Sequence, residues 1–399
     1  GDDKKFSQLV GDVKSGAVGT VIFYNCNPAY DHPMGPQLVS SLGKVKTTIS
    51  TSDKMDETSS SVKYITPDHH YLESWNDFEP VTGHLTLSQP TINNIFNTRQ
   101  AQETFLRWAE NTSSYYDFVK EGWQSMANGD FDRFFDKCLH DGIYNVEFTS
   151  ESVEVIVDAV AIAGNLKGYK AKSDGLELAI YSNYSVGDGV QANNPWLQEM
   201  PDPITKACWD NYFTVSPRQA TENNWSVKGG DMDYKVATLT FDGKSVTAPI
   251  IPQPGQAYGT VGLAVGYGRT KAGKVADGVG VNAYNLISSS TSGLKYNVGK
   301  VTLELTGEVK KVAQTQTSQT YAGRETVIQE TTLGEYQKDP QAGRYFPKIS
   351  LANGEKVKPH AVSLWQGHEY PNHHWGMIVD LNSCTGCGTC TVACQTENN

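Results

Sequence analysis

Asp380-Leu-Asn-Ser-Cys384-Thr-Gly-Cys387-Gly-Thr-Cys390-Thr-Val-Ala-Cys394 lies five residues before Asn399. Its sulfurs are spaced C-x2-C-x2-C-x3-C, the run that wraps three thiolates around one iron–sulfur cube. Gly386 and Gly388 supply backbone freedom where loop and cluster approach closely. Cys394 falls past the start of a predicted helix, and in two-cluster arrangements the sulfur at this position reaches the neighbouring cube. The spacing therefore gives Cys384, Cys387 and Cys390 to one cluster and Cys394 to another. A structural zinc knot or plain reduced thiols is the alternative, but zinc favours two separated C-x2-C pairs over one unbroken run.

A cube takes four ligands, so the first cluster is one thiolate short. That thiolate is expected from residues beyond Asn399 or from another chain, and the sequence reads as a fragment cut inside an iron–sulfur domain. The other cysteines, Cys26, Cys138 and Cys208, are scattered without ligand spacing. They form no disulfide framework and leave the redox compartment open. The start, Gly1-Asp-Asp-Lys-Lys, reads as mid-domain sequence and says nothing about export.

Working back from the cysteines, residues 376–381 read as a strand leading into the loop. Before them, Trp365-Gln-Gly-His-Glu-Tyr-Pro-Asn-His-His-Trp375 gathers His368, His373 and His374. These imidazoles could ligate haem or metal, or pack near a cluster and tune it through hydrogen bonds and burial. Residues 316–375 read as a connector, polar and extended at its start, with one amphipathic element predicted over 323–332. Residues 376–399 open a ferredoxin-type domain.

Residues 175–315 read as a β-barrel-type domain. Strands are predicted at 176–182, 233–241 and 246–251, with turns at Asp242-Gly243 and Pro254-Gly255. The stretch Tyr258-Gly-Thr-Val-Gly-Leu-Ala-Val-Gly-Tyr-Gly268 invites reading as a phosphate cradle. It lacks the Lys-Ser/Thr of a P-loop and the G-x-G-x-x-G spacing, so a tightly curved barrel strand is the expectation.

Residues 1–174 read as doubly wound α/β. A helix over 5–15 feeds an apolar strand over 18–24, expected to be fully buried, and strands follow at 45–52 and 63–66. Open α/β sheets put ligand loops at strand carboxyl ends, which singles out Asn25-Cys-Asn-Pro-Ala-Tyr30. His69, His70, Glu73, Asp77 and Glu79 crowd one stretch and could form a metal site or acid/base pair. Their spacing matches neither H-E-x-x-H nor a zinc set, and loop hydrogen bonding is the plainer reading. A helix is predicted over 99–110, then a mobile stretch carrying Tyr115, Tyr116, Phe118 and Trp123.

The net charge is −11 and charged residues make up 19% of the chain. This balance excludes attraction to nucleic acid or an anionic membrane face through bulk electrostatics. No apolar run reaches the ~18–20 residues of a membrane span.

Phe23-Tyr-Asn-Cys-Asn-Pro-Ala-Tyr-Asp-His-Pro33, Thr66-Pro-Asp-His-His-Tyr-Leu-Glu-Ser74, Asn193-Asn-Pro-Trp-Leu-Gln-Glu199 and Thr205-Lys-Ala-Cys-Trp-Asp-Asn211 resemble the carboxyl-terminal half of the molybdopterin oxidoreductase superfamily. His368-Glu-Tyr-Pro-Asn-His-His-Trp-Gly-Met377 running into the cysteines resembles the fused iron–sulfur subunit of bacterial alternative complex III. That resemblance implies a cofactor-free body without molybdopterin, followed by a domain carrying 4Fe–4S clusters and, in the full-length subunit, a 3Fe–4S cluster. It implies electron transport from a quinol-binding integral membrane subunit to a multihaem cytochrome c subunit and on to a terminal cytochrome oxidase. The location it implies is the periplasmic face of a bacterial inner membrane. Only Cys384, Cys387, Cys390 and Cys394 carry over as ligands.

Two other functions stand beside the relay. One is a catalytic molybdenum-bis-pterin oxidoreductase of polysulfide or thiosulfate reductase type, with loops 25–32, 67–75 and 183–196 lining the cofactor. The other is a structural assembly subunit holding an inert cluster.

Overall fold

The computed structural model describes residues 2–146, 157–167, 175–226, 233–290, 293–315, 320–324 and 327–398. Part of the predicted 323–332 element and most of the polar start of the connector lie outside the described residues. The chain divides into two units after Ala313.

The larger unit begins with α1 (Asp3–Ser15), capped by the Asp2 carboxylate on Lys5 N–H and stopped by Gly16 in the left-handed region at φ 82°. Strand β1 (Thr20–Phe23), the short α2 (Pro28–Asp31), α3 (Gly35–Ser41), β2 (Thr47–Ser50) and β3 (Tyr64–Ile65) follow. The three strands form a parallel sheet in the order β1-β2-β3. Val10 and Val13 of α1 and Leu38 of α3 bury against Val21 and Phe23.

This sheet corrects two expectations. Its order advances in one direction without the reversal that defines a doubly wound sheet. β1 is buried only at alternate residues, with Ile22 43% exposed, because the helical cover lies on one face.

A second antiparallel sheet joins β4 (Asn76–Val81), β5 (His84–Ser88) and, after three helices, β6 (Ile143–Asn145). The helices are α4 (Ala101–Trp108), α5 (Tyr115–Gln124) and α6 (Phe131–Asp141). The stretch expected to be mobile is α5. Ser114 caps it, and Val119 and Trp123 form a small core with Phe135 and Cys138 of α6. Aromatic spacing that lacks Leu or Ile hides the helical period, yet the rings pack edge to face, with Trp123 and Phe135 6.2 Å apart. Helix α7 (Ala159–Lys167) precedes the barrel.

Six strands close the barrel: β7 (Leu176–Ser182), β8 (Phe213–Val215), β9 (Asp233–Phe241), β10 (Lys244–Pro252), β11 (Thr260–Val265) and β14 (Asn297–Lys311), in the order β10-β8-β11-β7-β14-β9. Closure leaves no open edge. Helices α8 (Pro195–Glu199) and α9 (Pro217–Glu222) and the hairpin β12 (Ser288–Ser290)–β13 (Gly293–Lys295) lie in the connections. Phe213, Leu239, Ile250, Val261 and Leu263 fill the interior with no measurable exposure. Asp242 and Gly243 turn β9 into β10 at φ 49° and 74°, the twist a two-residue hairpin prefers.

The glycine-rich stretch is β11, a barrel strand. A Cβ on Gly262 would sit 2.3 Å from Thr214 Oγ1 on β8 and 3.1 Å from the Tyr181 ring on β7. The glycine is there so that neighbouring strands can close on it.

A buried joint ties the parallel sheet to the barrel. Glu57 receives Arg269 through two bonds, Nε at 3.0 Å and Nη2 at 2.8 Å, and Arg269 Nη1 donates to Gly189 O at 2.6 Å. The guanidinium lies 4.5 Å over the Tyr30 ring, whose hydroxyl donates to Tyr267 O at 2.8 Å. Burial works against the Glu57 carboxylate, but the Arg269, Thr270 and Asn27 donors pull it down to about 2.

The smaller unit holds α10 (Leu333–Lys338), the hairpin β15 (Ile349–Ser350)–β16 (Lys356–Val357) and α11 (Thr389–Asn398). The strand predicted over 376–381 is absent. Its backbone finds no ladder partner among the described residues, and a lone extended segment cannot satisfy its own donors and acceptors.

Candidate iron–sulfur centre

Asp380 organises the entry to the cysteine loop. Its carboxylate accepts from Asn382 N–H at 3.0 Å and from the Ser383 hydroxyl at 2.9 Å. Its carbonyl accepts from the N–H groups of Ser383 and Cys384 at 3.1 and 2.9 Å. This turn fixes where Cys384 leaves the chain, and its donors hold the Asp380 carboxyl below the usual range. Gly386 and Gly388 follow at φ 72° and 71°. Two left-handed residues in three bend the loop back on itself, and a Cβ on Gly386 would meet nothing within 4 Å.

The loop then enters α11, with Val392 N–H donating to Gly388 O at 3.1 Å. Cys390 and Cys394 sit four residues apart on that helix and so share a face. All four thiols are free and exposed. The Thr389 hydroxyl lies 3.2 Å from Cys387 Sγ, and with the Thr389 N–H it lowers the Cys387 thiol from its ordinary value. Among the described residues no three or more His, Cys, Asp or Glu side chains are gathered as metal ligands, the four cysteines included. The donor set nevertheless suits a cluster: accessible thiols, one of them lowered by its Thr389 neighbours, on a backbone with two left-handed glycines.

The body cysteines are different. Burial, then Glu199, pushes the Cys208 thiol up to about 11, and its S–H donates to Glu199 O at 3.1 Å. Burial also raises Cys26 and Cys138. Cys138 and Cys208 are buried while Cys26 is exposed, and a raised thiol is a poorer iron ligand.

The other singled-out residues serve the fold. Glu73 accepts from Ile95 N–H at 3.0 Å and His70 N–H at 3.1 Å. Asp77 accepts from Trp123 Nε1 at 3.0 Å, and Glu79 from Gly83 N–H at 2.8 Å. His69 Nε2 lies 3.1 Å from Asn94 Nδ2. No acid/base pair emerges from this stretch. Loops 25–32 and 183–196 likewise spend polar groups internally: Asn27 Nδ2 donates to Glu57 at 2.8 Å, and Asn193 Oδ1 accepts from Val275 N–H at 3.0 Å. Upstream of the loop, Tyr370 stacks on His374 at 4.2 Å and meets His368 edge-on at 4.5 Å.

Sequence reasoning passed over Asp380 and Thr389 as supports of the loop. The signal was present, since Asp380-x-x-Ser383 is a side-chain-capped turn pattern.

With that geometry in view, a 4Fe–4S binding domain family matches residues 375–396. The C-terminal segment is of the ferredoxin type. Over 25 residues it is 72% identical to the "Menaquinone reductase, iron-sulfur cluster-binding subunit" of Nitratidesulfovibrio vulgaris, covering 6% of this chain and 10% of that protein. It is 56% identical over 25 residues to the "Arsenate respiratory reductase iron-sulfur subunit ArrB" of Chrysiogenes arsenatis, covering 6% of this chain and 83% of that sequence. These likenesses concern the cluster segment alone. Acetylene hydratase from Pelobacter acetylenicus aligns with 74% of this chain and 46% of its own at a TM-score of 0.51 and 12% identity, a likeness of fold.

Proposed function

We propose that this chain is the electron-transfer iron–sulfur subunit of a membrane-associated quinol:cytochrome c, or quinol:oxidase, oxidoreductase of the alternative complex III kind. It acts as a peripheral protein on the periplasmic face of a bacterial inner membrane. The observation that carries this reading is the cysteine run, with its 72% identity to a subunit named for menaquinone reductase.

A bound cluster supplies one-electron transfer at a potential set by its surroundings. The chain's part is to hold it. Cys384, Cys387 and Cys390 release their thiol protons on ligation, and the Thr389 hydroxyl stabilises the thiolate of Cys387. Asp380 holds the loop entry in place. Cys394, a turn beyond Cys390 on α11, serves the neighbouring cluster. The body positions this wire as a scaffold without molybdopterin. Its electron partners are a quinol-binding membrane subunit and a multihaem cytochrome c subunit, with a 3Fe–4S cluster further along the full-length subunit.

The test is anaerobic purification, iron and acid-labile sulfide analysis, and low-temperature electron paramagnetic resonance before and after quinol addition to the assembled complex. Reducible cubane signals are expected, while zinc or bare thiols at the loop overturn the reading. The fold likeness to acetylene hydratase favours a second reading, a catalytic molybdenum-bis-pterin oxidoreductase. Molybdenum or tungsten near about one atom per chain selects that enzyme, and iron alone selects the relay.

A further inference from the structure

Charge is sorted along the parallel sheet. Its strands run the same way, so the segments that lead into them meet at one end. Lys14 lies at the close of α1 ahead of β1, Lys44 and Lys46 precede β2, and Lys63 precedes β3. From Asp12 to Asp31 the only intervening Lys, Arg, Asp or Glu is Lys14; from Asp31 to Asp53 they are Lys44 and Lys46; from Glu57 to Asp68 it is Lys63. The carboxylates Asp31, Asp53, Asp56, Glu57 and Asp68 come after the strands instead.

Hydrogen bonds gather these lysines. Lys44 Nζ donates to Lys14 O at 2.6 Å, and Lys63 Nζ donates to Val45 O and Lys46 O at 2.8 and 2.9 Å. All of them are exposed. Among the described residues none of them forms an ion pair. A carbonyl orients an ammonium without neutralising it, so this end of the sheet carries uncompensated positive charge.

Composition narrows what meets it. Protein interfaces are rich in Arg and poor in Lys, and this patch holds Lys alone. Clusters of about four or more basic residues are the pattern that meets anionic headgroups. Gly16, Ala17, Gly19 and Gly43 are the exposed neighbours, small enough to let a flat charged surface approach. Tyr64, 59% exposed beside Lys63, adds a ring with a polar tip suited to the headgroup level. The chain's net charge of −11 opposes such a contact only from afar, because salt screens charges beyond ~8–10 Å.

We infer that the end of the parallel sheet carrying Lys14, Lys44, Lys46 and Lys63 is a contact surface for anionic phospholipid headgroups. It turns the body toward the membrane face and adsorbs reversibly, since charge without an inserted apolar group does not anchor. This rests on the peripheral-membrane reading above and names the surface that makes the contact.

The test sediments the full chain with vesicles of phosphatidylcholine alone or with about one-third phosphatidylglycerol. Binding to the anionic vesicles only is expected, and about 0.5 M salt is expected to abolish it. The Lys14 and Lys46 side chains make no hydrogen bond among the described residues, so a paired Lys14→Gln, Lys46→Gln variant removes charge and keeps the fold's contacts. That variant is expected to bind about 25-fold more weakly, about fivefold for each lysine. A control pair on the barrel, Lys244→Gln with Lys274→Gln, loses the same charge and is expected to bind as wild type. No binding, equal binding to both vesicles, an equal loss in the control pair, or tighter retention on immobilised polyglutamate or DNA than on the anionic vesicles overturns the proposal. If iron in the assembled complex is normal and the vesicles are not bound, only the lipid contact fails; if the vesicles are bound and the complex holds no iron, the relay fails and the contact stands.

Discussion

The barrel and the cysteine segment use opposite means to become ordered. In the barrel, Phe213, Leu239, Ile250 and Leu263 are fully buried and six strands satisfy one another's backbones in a closed ring. In the unit from Gln314 to Asn399 nearly every side chain is exposed, and its four free thiols lie along a loop and one short helix. Burial of apolar area holds the first together. On the proposed reading ligation fixes the second, because metal binding free energy is folding free energy where few described side chains are buried. Stability and function are therefore kept in different parts of the chain and are separately breakable.

The sharpest way to break that separation is Cys390→Ser. It is expected to abolish the cluster held by the three-thiolate loop, seen as lost iron, sulfide and resonance signal, with the barrel's thermal midpoint unmoved. A coupled fall in barrel stability would refute the separation. The converse variant, Phe213→Ala, empties a fully buried site and is expected to cost about 3–5 kcal/mol in urea unfolding, with iron per chain unchanged.

Next comes the joint within the body. Glu57→Gln leaves the buried Arg269 guanidinium without its counter-charge, an expected loss of about 3 kcal/mol in the same unfolding experiment. The Glu57 carboxyl is depressed from 4.5 to about 2, so its stabilisation is complete above the ordinary value and disappears as pH falls from there through about 2. The variant should lack that acid limb.

Asp31 runs the other way and is the smallest effect. Burial first, then Asp188, raises its carboxyl from 3.8 to about 6, so its ionisation erodes stability as pH rises between those values. Asp31→Asn is expected to stabilise the body above pH 6 by about 2 kcal/mol, and to match wild type below pH 4. A midpoint that follows pH identically in both proteins would sink this assignment.

Much of the body was legible from local pattern. Residues 176–182 and 233–241 alternate and end in turn residues, and β7 and β9 occupy those spans. The glycines of 258–268 lack phosphate-loop spacing, and β11 lies there among barrel strands. What was missed was decided by packing. Helix α5 is written in aromatics whose period shows only once Trp123 meets Phe135. The sheet's single winding depends on which face the helices cover, and local sequence does not carry that information. At the site, the cysteine spacing was visible, while the contacts of Asp380 and Thr389 beside it needed the turn geometry. The crowded 69–79 stretch was the reverse case, with reactive residue types spent on holding backbone N–H groups and an indole.

By itself the sequence determined the chemistry of the C-terminal segment, since thiolate spacing along a short loop is a local property that survives without any fold. It also determined which residues avoid water in the barrel strands. Only the tertiary structure decided that Glu57 and Arg269, 212 residues apart, form one buried joint. Only it decided that residues 375–379 pair with no strand among the described residues. Pairing between distant segments depends on which surfaces meet, and no local pattern encodes that.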